Sequence, residues 1–106
     1  MKTLYHPDRE AIELPAVLYA LSDPVRLEIA RRLWNQKELS CGAFELPVAK
    51  STASHHFKVL REAGVIRVRQ EGTSRFVSLR RDDLDALFEG LLPSILRSLG
   101  TKKKEL

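Results

Sequence analysis

The chain has 106 residues, of which 43% are hydrophobic, and its net charge is +4. This length predicts a single domain over residues 1–106, with a core so small that a second copy of the chain would help to stabilise it. The one cysteine, Cys41, excludes an internal disulfide and is typical of a reducing cytosol. No signal peptide or membrane span is predicted, because the longest uncharged apolar stretch, residues 14–22, is far too short to cross a bilayer. We therefore expect a cytoplasmic protein with no membrane partner.

The positive charge is concentrated in the middle of the sequence. Residues 50–81 contain eight basic and two acidic residues, a net charge of +6. Residues 1–49 (six basic, seven acidic) and residues 82–106 (four basic, five acidic) each carry −1. A patch of this kind is typical of a polyanion-binding protein, because Lys and Arg release condensed counterions when they neutralise phosphates. A solvated basic face is the alternative.

The first predicted element is a short amphipathic helix at about residues 12–21, where apolar residues recur at positions 14, 17, 18 and 21. A second helix follows it. Asp23 is predicted to be its N-cap, and Pro24 stands at its first position, where the missing N–H costs nothing.

Two further helices are predicted in the next part of the chain. The first is short, starts at Ser40 and is ended by Pro47. The second has Ser51 as its cap and runs to about Ala63, after which Gly64 supplies a left-handed turn.

After this turn the period of the apolar residues changes from 3.6 to 2. The stretches "VIRVRQ" and "RFVSLR", joined by "EGTS", predict a β-hairpin whose polar tip is flanked by Arg69 and Arg75. A last helix over about residues 82–99 carries an apolar stripe, and Pro93 is expected to kink or split it. The elements together predict a mainly α fold with a small β-hairpin, a winged helix-turn-helix.

One face of the helix after Ser51 is unsuited to a core. Positions 53, 57, 60 and 63 (Ala, Phe, Leu, Ala) form its buried face, and positions 51, 54, 55, 58 and 61 (Ser, Ser, His, Lys, Arg) lie opposite. Short hydroxyl side chains permit close approach to a major groove, while His, Lys and Arg reach base edges and phosphates. The pattern predicts a DNA recognition helix; an ordinary exposed polar face is the alternative.

The segments "LSDPVRLEIARRL", "STASHHFKVLREAGVI" and "VRQEGTSRFVSL" together resemble the ArsR/SmtB group of bacterial winged-helix repressors. The likeness covers about residues 14–92. The resemblance implies a symmetric homodimer, paired through the first and last helices, that binds a two-fold operator in double-stranded DNA until an effector releases it. It also implies that Ser54 and His55 contact DNA and that Arg69 and Arg75 lie on the wing.

Two sets of site residues follow. The predicted DNA-binding set is Lys50, Ser51, Thr52, Ser54, His55, Lys58, Arg61, Arg69 and Arg75. The predicted dimer set, on the terminal helices, is Leu14, Val17, Leu18, Leu84, Leu87, Phe88, Leu91, Leu92 and Ile95.

The chain departs from the metal-sensing members of the group that it resembles. Many of them use a cysteine pair before the recognition helix, where this chain has Cys41 alone, and others use histidines on the last helix, where it has none. A transition-metal site needs about three or four converging ligands. We therefore expect no metal and no cofactor, and a structural role for His56. The segment from Ser40 to Ser54 is also short for the group, which predicts a truncated or irregular first helix of the motif.

No nucleophile, base and orienting group can be assembled from the sequence, so an enzyme is not expected. Cys41 is interpreted as a small apolar filler, with a sensor thiol as the alternative. Two other functions stay open beside a DNA-binding repressor. One is a winged-helix module with a protein or RNA partner, and the other is a redox switch acting through Cys41. The sequence does not identify the effector, the operator or the direction of regulation.

Overall fold

The structure is a computed structural model that describes residues 4–105, with side chains described for residues 4–99. Within this range the chain forms five α-helices and three strands. The helices are α1 (Leu14–Ala20), α2 (Pro24–Trp34), α3 (Lys50–Glu62), α4 (Arg81–Leu87) and α5 (Leu91–Glu105), and the strands are β1 (Leu39–Ser40), β2 (Ile66–Glu71) and β3 (Ser74–Leu79). None of these helices is both long and apolar enough to cross a membrane.

The start of α2 follows the prediction. The carboxylate of Asp23 accepts hydrogen bonds from the backbone N–H groups of Val25 (2.8 Å) and Arg26 (3.2 Å), and Pro24 is the first helical residue. The predicted N-cap is therefore confirmed.

The first helix of the motif is reduced to one 3-10 turn, Cys41–Phe44. The residues before it are extended as β1, because they pair with β3 in the register Leu39–Val77 and Ser40–Phe76. The prediction of a helix starting at Ser40 is thus corrected, and the predicted truncation of this helix is confirmed. Strand β1 was not predicted, since two residues carry no periodic signal.

The N-cap predicted for α3 is wrong by two positions. The helix begins at Lys50 after Ala49, which is extended and has no side chain that can cap it. The backbone N–H of Ala53 already bonds to the Ala49 carbonyl at 2.9 Å, so Ser51 lies inside the first turn. Its hydroxyl is exposed rather than used as a cap.

The predicted last helix is divided, but not at Pro93. Helix α4 ends before Phe88, and Gly90 adopts a φ of 80° ahead of α5. Pro93 is the third residue of α5. The backbone N–H groups of the first helical turn have no partner within the helix, so a proline at this position removes no hydrogen bond of α5. The glycine, rather than the proline, marks the break.

The sheet has the strand order β1-β3-β2, and all its strands are antiparallel. The predicted hairpin is confirmed, although its turn has only two residues, Gly72 and Thr73, between the paired Glu71 and Ser74. Gly72 has a φ of 61°, which suits the first turn position of a tight hairpin. This β2–β3 hairpin is the wing.

The core lies where α1, α2 and α3 meet the sheet, and α4 and α5 complete it. Its largest fully buried side chains are Phe44, Ile29, Leu33, Leu60, Ile66, Val17, Val65 and Val77. Three members of the predicted dimer set also belong to it, because Val17, Leu84 and Leu92 are only 1–3% exposed. These three residues pack within their own chain and leave almost no surface exposed, so the dimer proposed below relies on other members of the predicted set.

Gly64 is expected to be the least replaceable of the four glycines whose surroundings the structure describes. It turns the chain from α3 into β2 with a φ of 88°, and a Cβ there would lie 2.5 Å from Cγ1 of the buried Ile12. Gly64→Ala should lower the free energy of unfolding by about 2–5 kcal/mol, since left-handed strain of about 1–2 kcal/mol adds to an overpacking cost of about 1–3 kcal/mol.

Gly72→Ala is the matched control, because its φ is also positive but an added Cβ would meet no atom within 4 Å. Only the strain of about 1–2 kcal/mol should appear there. Urea denaturation of both variants measures the difference, and equal losses would contradict the packing assigned to Gly64.

Candidate nucleic-acid interface

Helix α3 presents one polar face to solvent. The exposed residues of its first three turns are Lys50, Ser51, Thr52, Ser54, His55 and Lys58. On the other side Leu60 is fully buried and Phe57 is half-buried, with the Phe57 ring edge-on to Phe44 at a centroid distance of 5.2 Å. The amphipathic character predicted for this helix is therefore confirmed.

His56 anchors the opposite face. Its side chain is buried, and its Nδ1 lies 3.1 Å from Nη1 of the equally buried Arg26. A guanidinium has only N–H donors, so Nδ1 of His56 is the acceptor. Asp23, the N-cap of α2, lies 3.9 Å from the same nitrogen. The structural role predicted for His56 is confirmed, and its neighbour His55 is left to face solvent.

The two wing arginines of the predicted DNA-binding set differ in their surroundings. Arg69 forms ion pairs with Glu38 (2.8 Å) and Glu71 (2.5 Å), and its guanidinium lies 4.7 Å from the centre of the Phe76 ring. The hydrogen bonds from Arg69 lower the pKa of the Glu38 carboxyl, and the two carboxylates raise the pKa of Arg69. Arg75 is exposed and, among the described residues, has no carboxylate partner.

Two other basic residues in 50–81, Arg61 and Arg80, form hydrogen bonds within the chain and are not free to contact a partner. Arg61 donates from Nε to the Tyr5 carbonyl (3.0 Å), and its side chain is only 12% exposed. Buried Arg80 bonds to Asp83 (2.8 Å) and to the Pro7 carbonyl (2.7 Å). The net charge of +6 over this stretch therefore overstates the charge available to a partner.

The segment before α1, for which the sequence predicts no role, packs against the C-terminal end of α3 and the base of the wing. Nε2 of His6 accepts a hydrogen bond from the backbone N–H of Val68 (2.9 Å), so this histidine satisfies a donor on the edge strand β2. Burial lowers the pKa of His6, and the charges of nearby arginines add to that effect. No periodicity or motif marks such a long-range contact in the sequence.

Cys41 is half-buried at the start of the 3-10 turn. Burial raises the pKa of its thiol, and the positive charge of Arg75 opposes that shift. A raised pKa disfavours the thiolate, which agrees with a filler more than with a sensor. Over the described residues no group of three or more His, Cys, Asp or Glu side chains lies close enough to hold a metal ion.

The exposed face of α3 offers the chemistry that a nucleic acid requires. The first turn has no side-chain cap, so its N–H groups and the positive end of the helix dipole are available to an anion beside Lys50. One turn further along, Ser54 and His55 present hydrogen-bonding groups of short or medium reach, and Lys58 adds a cation. Of the predicted set, the structure brings together the α3 residues and places Arg75 across a shared pocket from them.

Comparison with known proteins agrees with this geometry. A helix-turn-helix domain model matches residues 21–69. The chain is 44% identical over 86 residues to the HTH-type transcriptional regulator YceK of Bacillus subtilis, covering 78% of this chain and 82% of that protein. It is 36% identical over 86 residues to the biofilm growth-associated repressor of Agrobacterium fabrum (79% and 73%). It is also 32% identical over 80 residues to the arsenical resistance operon repressor of Staphylococcus xylosus (74% and 77%).

Solved structures share the fold. HlyU from Vibrio cholerae superimposes with a TM-score of 0.65 at 26% identity, over 78% of this chain and 87% of HlyU. The transcriptional repressor BigR from Xylella fastidiosa gives a TM-score of 0.59 at 29% identity, over 76% and 90% of the two chains. The extent of these matches and the winged helix-turn-helix geometry place the protein among transcriptional regulators that bind DNA, not among enzymes. The chain belongs to the ArsR family of helix-turn-helix transcriptional regulators.

Proposed function

We propose that the protein is a homodimeric repressor that binds a two-fold operator, with α3 in the major groove and the wing beside the phosphate backbone. The observation that carries the proposal is the exposed polar face of α3, which is held outward by the buried contact between His56 and Arg26. Three of the similar proteins are named as repressors, which supports repression. Such a protein would act on DNA in the cytoplasm.

Different residues of the α3 face are proposed to contact different parts of the DNA. Lys50, Ser51 and Thr52, at the uncapped end, suit phosphates, because the helix N-terminus attracts anions. Ser54 and His55 suit base edges, and Lys58 lies on the same exposed face. Arg61 is assigned to holding the segment before α1 instead of to DNA, since its guanidinium is engaged by the Tyr5 carbonyl.

The wing contributes charge beside this helix. Arg75 is the proposed phosphate contact, because it is exposed and, in the described part of the chain, pairs with no carboxylate. Arg69 is a weaker candidate, since two glutamates already offset its charge. No observation favours an RNA or protein partner for this face, and the raised pKa of Cys41 does not favour a redox switch.

The proposed dimer surface is narrower than the predicted set. Leu14 and Leu18 lie one turn apart on α1 and are 40% and 44% exposed, and Leu87 at the end of α4 is 37% exposed. Because these leucines lie on the two helices that the family resemblance assigns to pairing, a second copy of the chain would cover them. Phe88, Leu91 and Ile95 are half-buried and would contribute at the edge.

Alanine at Ser54 or His55 should weaken binding to the operator by about 1–3 kcal/mol each and leave binding to random duplex nearly unchanged. The reason is that groups reading base edges carry sequence information, whereas phosphate contacts do not. Gel-shift titrations with the protein's own upstream DNA measure both affinities. Ser94→Ala, which removes an exposed hydroxyl on α5, is the control. Unchanged operator affinity in both α3 variants would overturn the major-groove assignment.

Arg75→Gln should flatten the dependence of log K on log salt by about one unit, because the variant can no longer neutralise one phosphate. Arg69→Gln removes the same charge from the same hairpin, but its effect should be clearly smaller because Glu38 and Glu71 already neutralise that side chain. Titrations at several salt concentrations on random duplex give the two slopes. Equal flattening by both variants would show that the ion pairs do not restrain Arg69.

Leu18→Asp should give monomers and weaken operator binding at the same time, because a monomer can engage one half-site where the dimer engages two. Ala16→Asp adds the same charge to an exposed position on the other side of α1 and should leave the dimer intact. Sedimentation equilibrium measures the oligomeric state of each variant.

Footprinting should show two half-sites about 10 base pairs apart, or a small multiple of that distance. An unmodified protein that is monomeric at concentrations that saturate the operator would contradict the dimer.

A further inference from the structure

An open pocket of about 600 Å³ lies beside the proposed DNA-binding face. It is bounded by the Cys41–Phe44 turn, by the first half of α3 and by the wing. Its volume lies within the range of about 300–1,000 Å³ that is common for small-molecule sites. A protein partner would need about 800 Å² of surface on each side, which a pocket of this size does not offer.

Part of the lining of the pocket is apolar. Phe57 and Phe44, whose rings meet edge to face, belong to it together with Leu46, Val48 and Val68. Phe57, Leu46 and Val48 are only half-buried, so part of their surface is open to the pocket. An aromatic ring could pack against them in the offset or edge-on arrangements that such rings prefer.

The lining of the pocket is positively charged. Lys50, Arg61 and Arg75 contribute to it against a single acid, Glu45. In the part of the chain that the structure describes, neither Lys50 nor Arg75 is paired with a carboxylate, whereas Arg61 is engaged by the Tyr5 carbonyl. The uncapped first turn of α3, at Lys50, adds the positive end of the helix dipole to this lining. Two free cations beside these N–H groups match one anionic group on an otherwise apolar molecule.

The pocket also shares residues with the proposed DNA-binding face. Lys50, Ser51, Ser54 and Arg75 line the pocket and are members of the predicted DNA-binding set. An anion bound to Lys50 and Arg75 would occupy the groups that are proposed to meet phosphates. Ligand and DNA would then compete for the same side chains.

We propose that this pocket binds a small aromatic carboxylate, with its ring against Phe57 and its carboxylate on Lys50 and Arg75, and that the bound ligand excludes DNA. The second half of the proposal rests on the proposed function, whereas the binding site itself does not. The protein would thus carry its effector site within its DNA-binding face, and an increase in the ligand would release the operator directly.

Cys41 lines the pocket and is the single cysteine of the chain, so its alkylation reports on occupancy without DNA. 2-Naphthoate should slow modification of Cys41 by N-ethylmaleimide saturably, by about tenfold at ten times its dissociation constant. Neutral 2-naphthamide, which has nearly the same shape, should protect far less. Absence of protection by naphthoate, or equal protection by the amide, would overturn the site.

Substitutions of single cations test which side chains bind the carboxylate of naphthoate. Lys50→Gln and Arg75→Gln should each raise the naphthoate dissociation constant by about five- to tenfold, because each removes a charged hydrogen-bond donor. Arg67→Gln is the control, since Arg67 is an exposed arginine of the same hairpin that lies outside the pocket. Loss of naphthoate binding in Arg67→Gln alone would place the site elsewhere and overturn the proposal.

Gly42→Leu tests the coupling to DNA. Gly42 lines the pocket, and a Cβ there would meet no atom within 4 Å, so the backbone can accept a side chain and leucine is chosen to occupy the pocket. Naphthoate should weaken binding of the unmodified protein to its own upstream duplex but should not affect Gly42→Leu. Protection of Cys41 without any effect on DNA would support the pocket and overturn the competition. If the unmodified protein does not bind duplex even without naphthoate, the proposed function is overturned. The alkylation of Cys41 would still show whether the pocket binds naphthoate.

Discussion

The buried guanidinium of Arg26 is the contact on which the orientation of α3 depends. It donates to the carbonyls of Ala20 (2.7 Å) and Tyr19 (3.4 Å) at the end of α1, and its Nη1 meets His56 on α3. A buried charge is tolerated only where it is hydrogen-bonded, and the end of a helix favours a cation, so these three partners are held in place. Because α1 carries the proposed dimer surface and α3 the proposed DNA face, one side chain of α2 fixes the two surfaces relative to each other.

The parts of this arrangement that depend on local chemistry could be predicted from the sequence. Asp23 caps α2 and Pro24 is its first residue, which are the positions that these residue types favour. The 3.6-residue period of α3 separates its polar face from its buried face. Gly64 adopts the left-handed conformation that was expected of it, and the alternating strands form the wing. The resemblance to the ArsR/SmtB group rests on the same stretches, and the comparison with similar proteins then confirmed the family.

The parts that depend on distant contacts could not be predicted. Nothing in the sequence shows that Glu38 pairs with Arg69, 31 positions away. This ion pair offsets the charge of one of the two wing arginines. An apolar stripe likewise does not tell which leucines face their own core, and Leu92 is buried where Leu18 is not. The pocket beside α3 is bounded by the single turn Cys41–Phe44, and the sequence pattern predicted neither this 3-10 turn nor the pairing of β1 with β3 that precedes it.

In the proposed complex the exposed face of α3, positioned by Arg26 and His56, is the surface that meets DNA. This contact can be tested by titrating the ¹⁵N-labelled protein with its own upstream duplex and following backbone amide signals by NMR. The largest changes are expected on residues 50–58 and on the wing tip around Gly72, with little change near Trp34 and Arg81, which lie together outside that face. Changes concentrated around Trp34 and Arg81, with α3 unaffected at saturation, would contradict it.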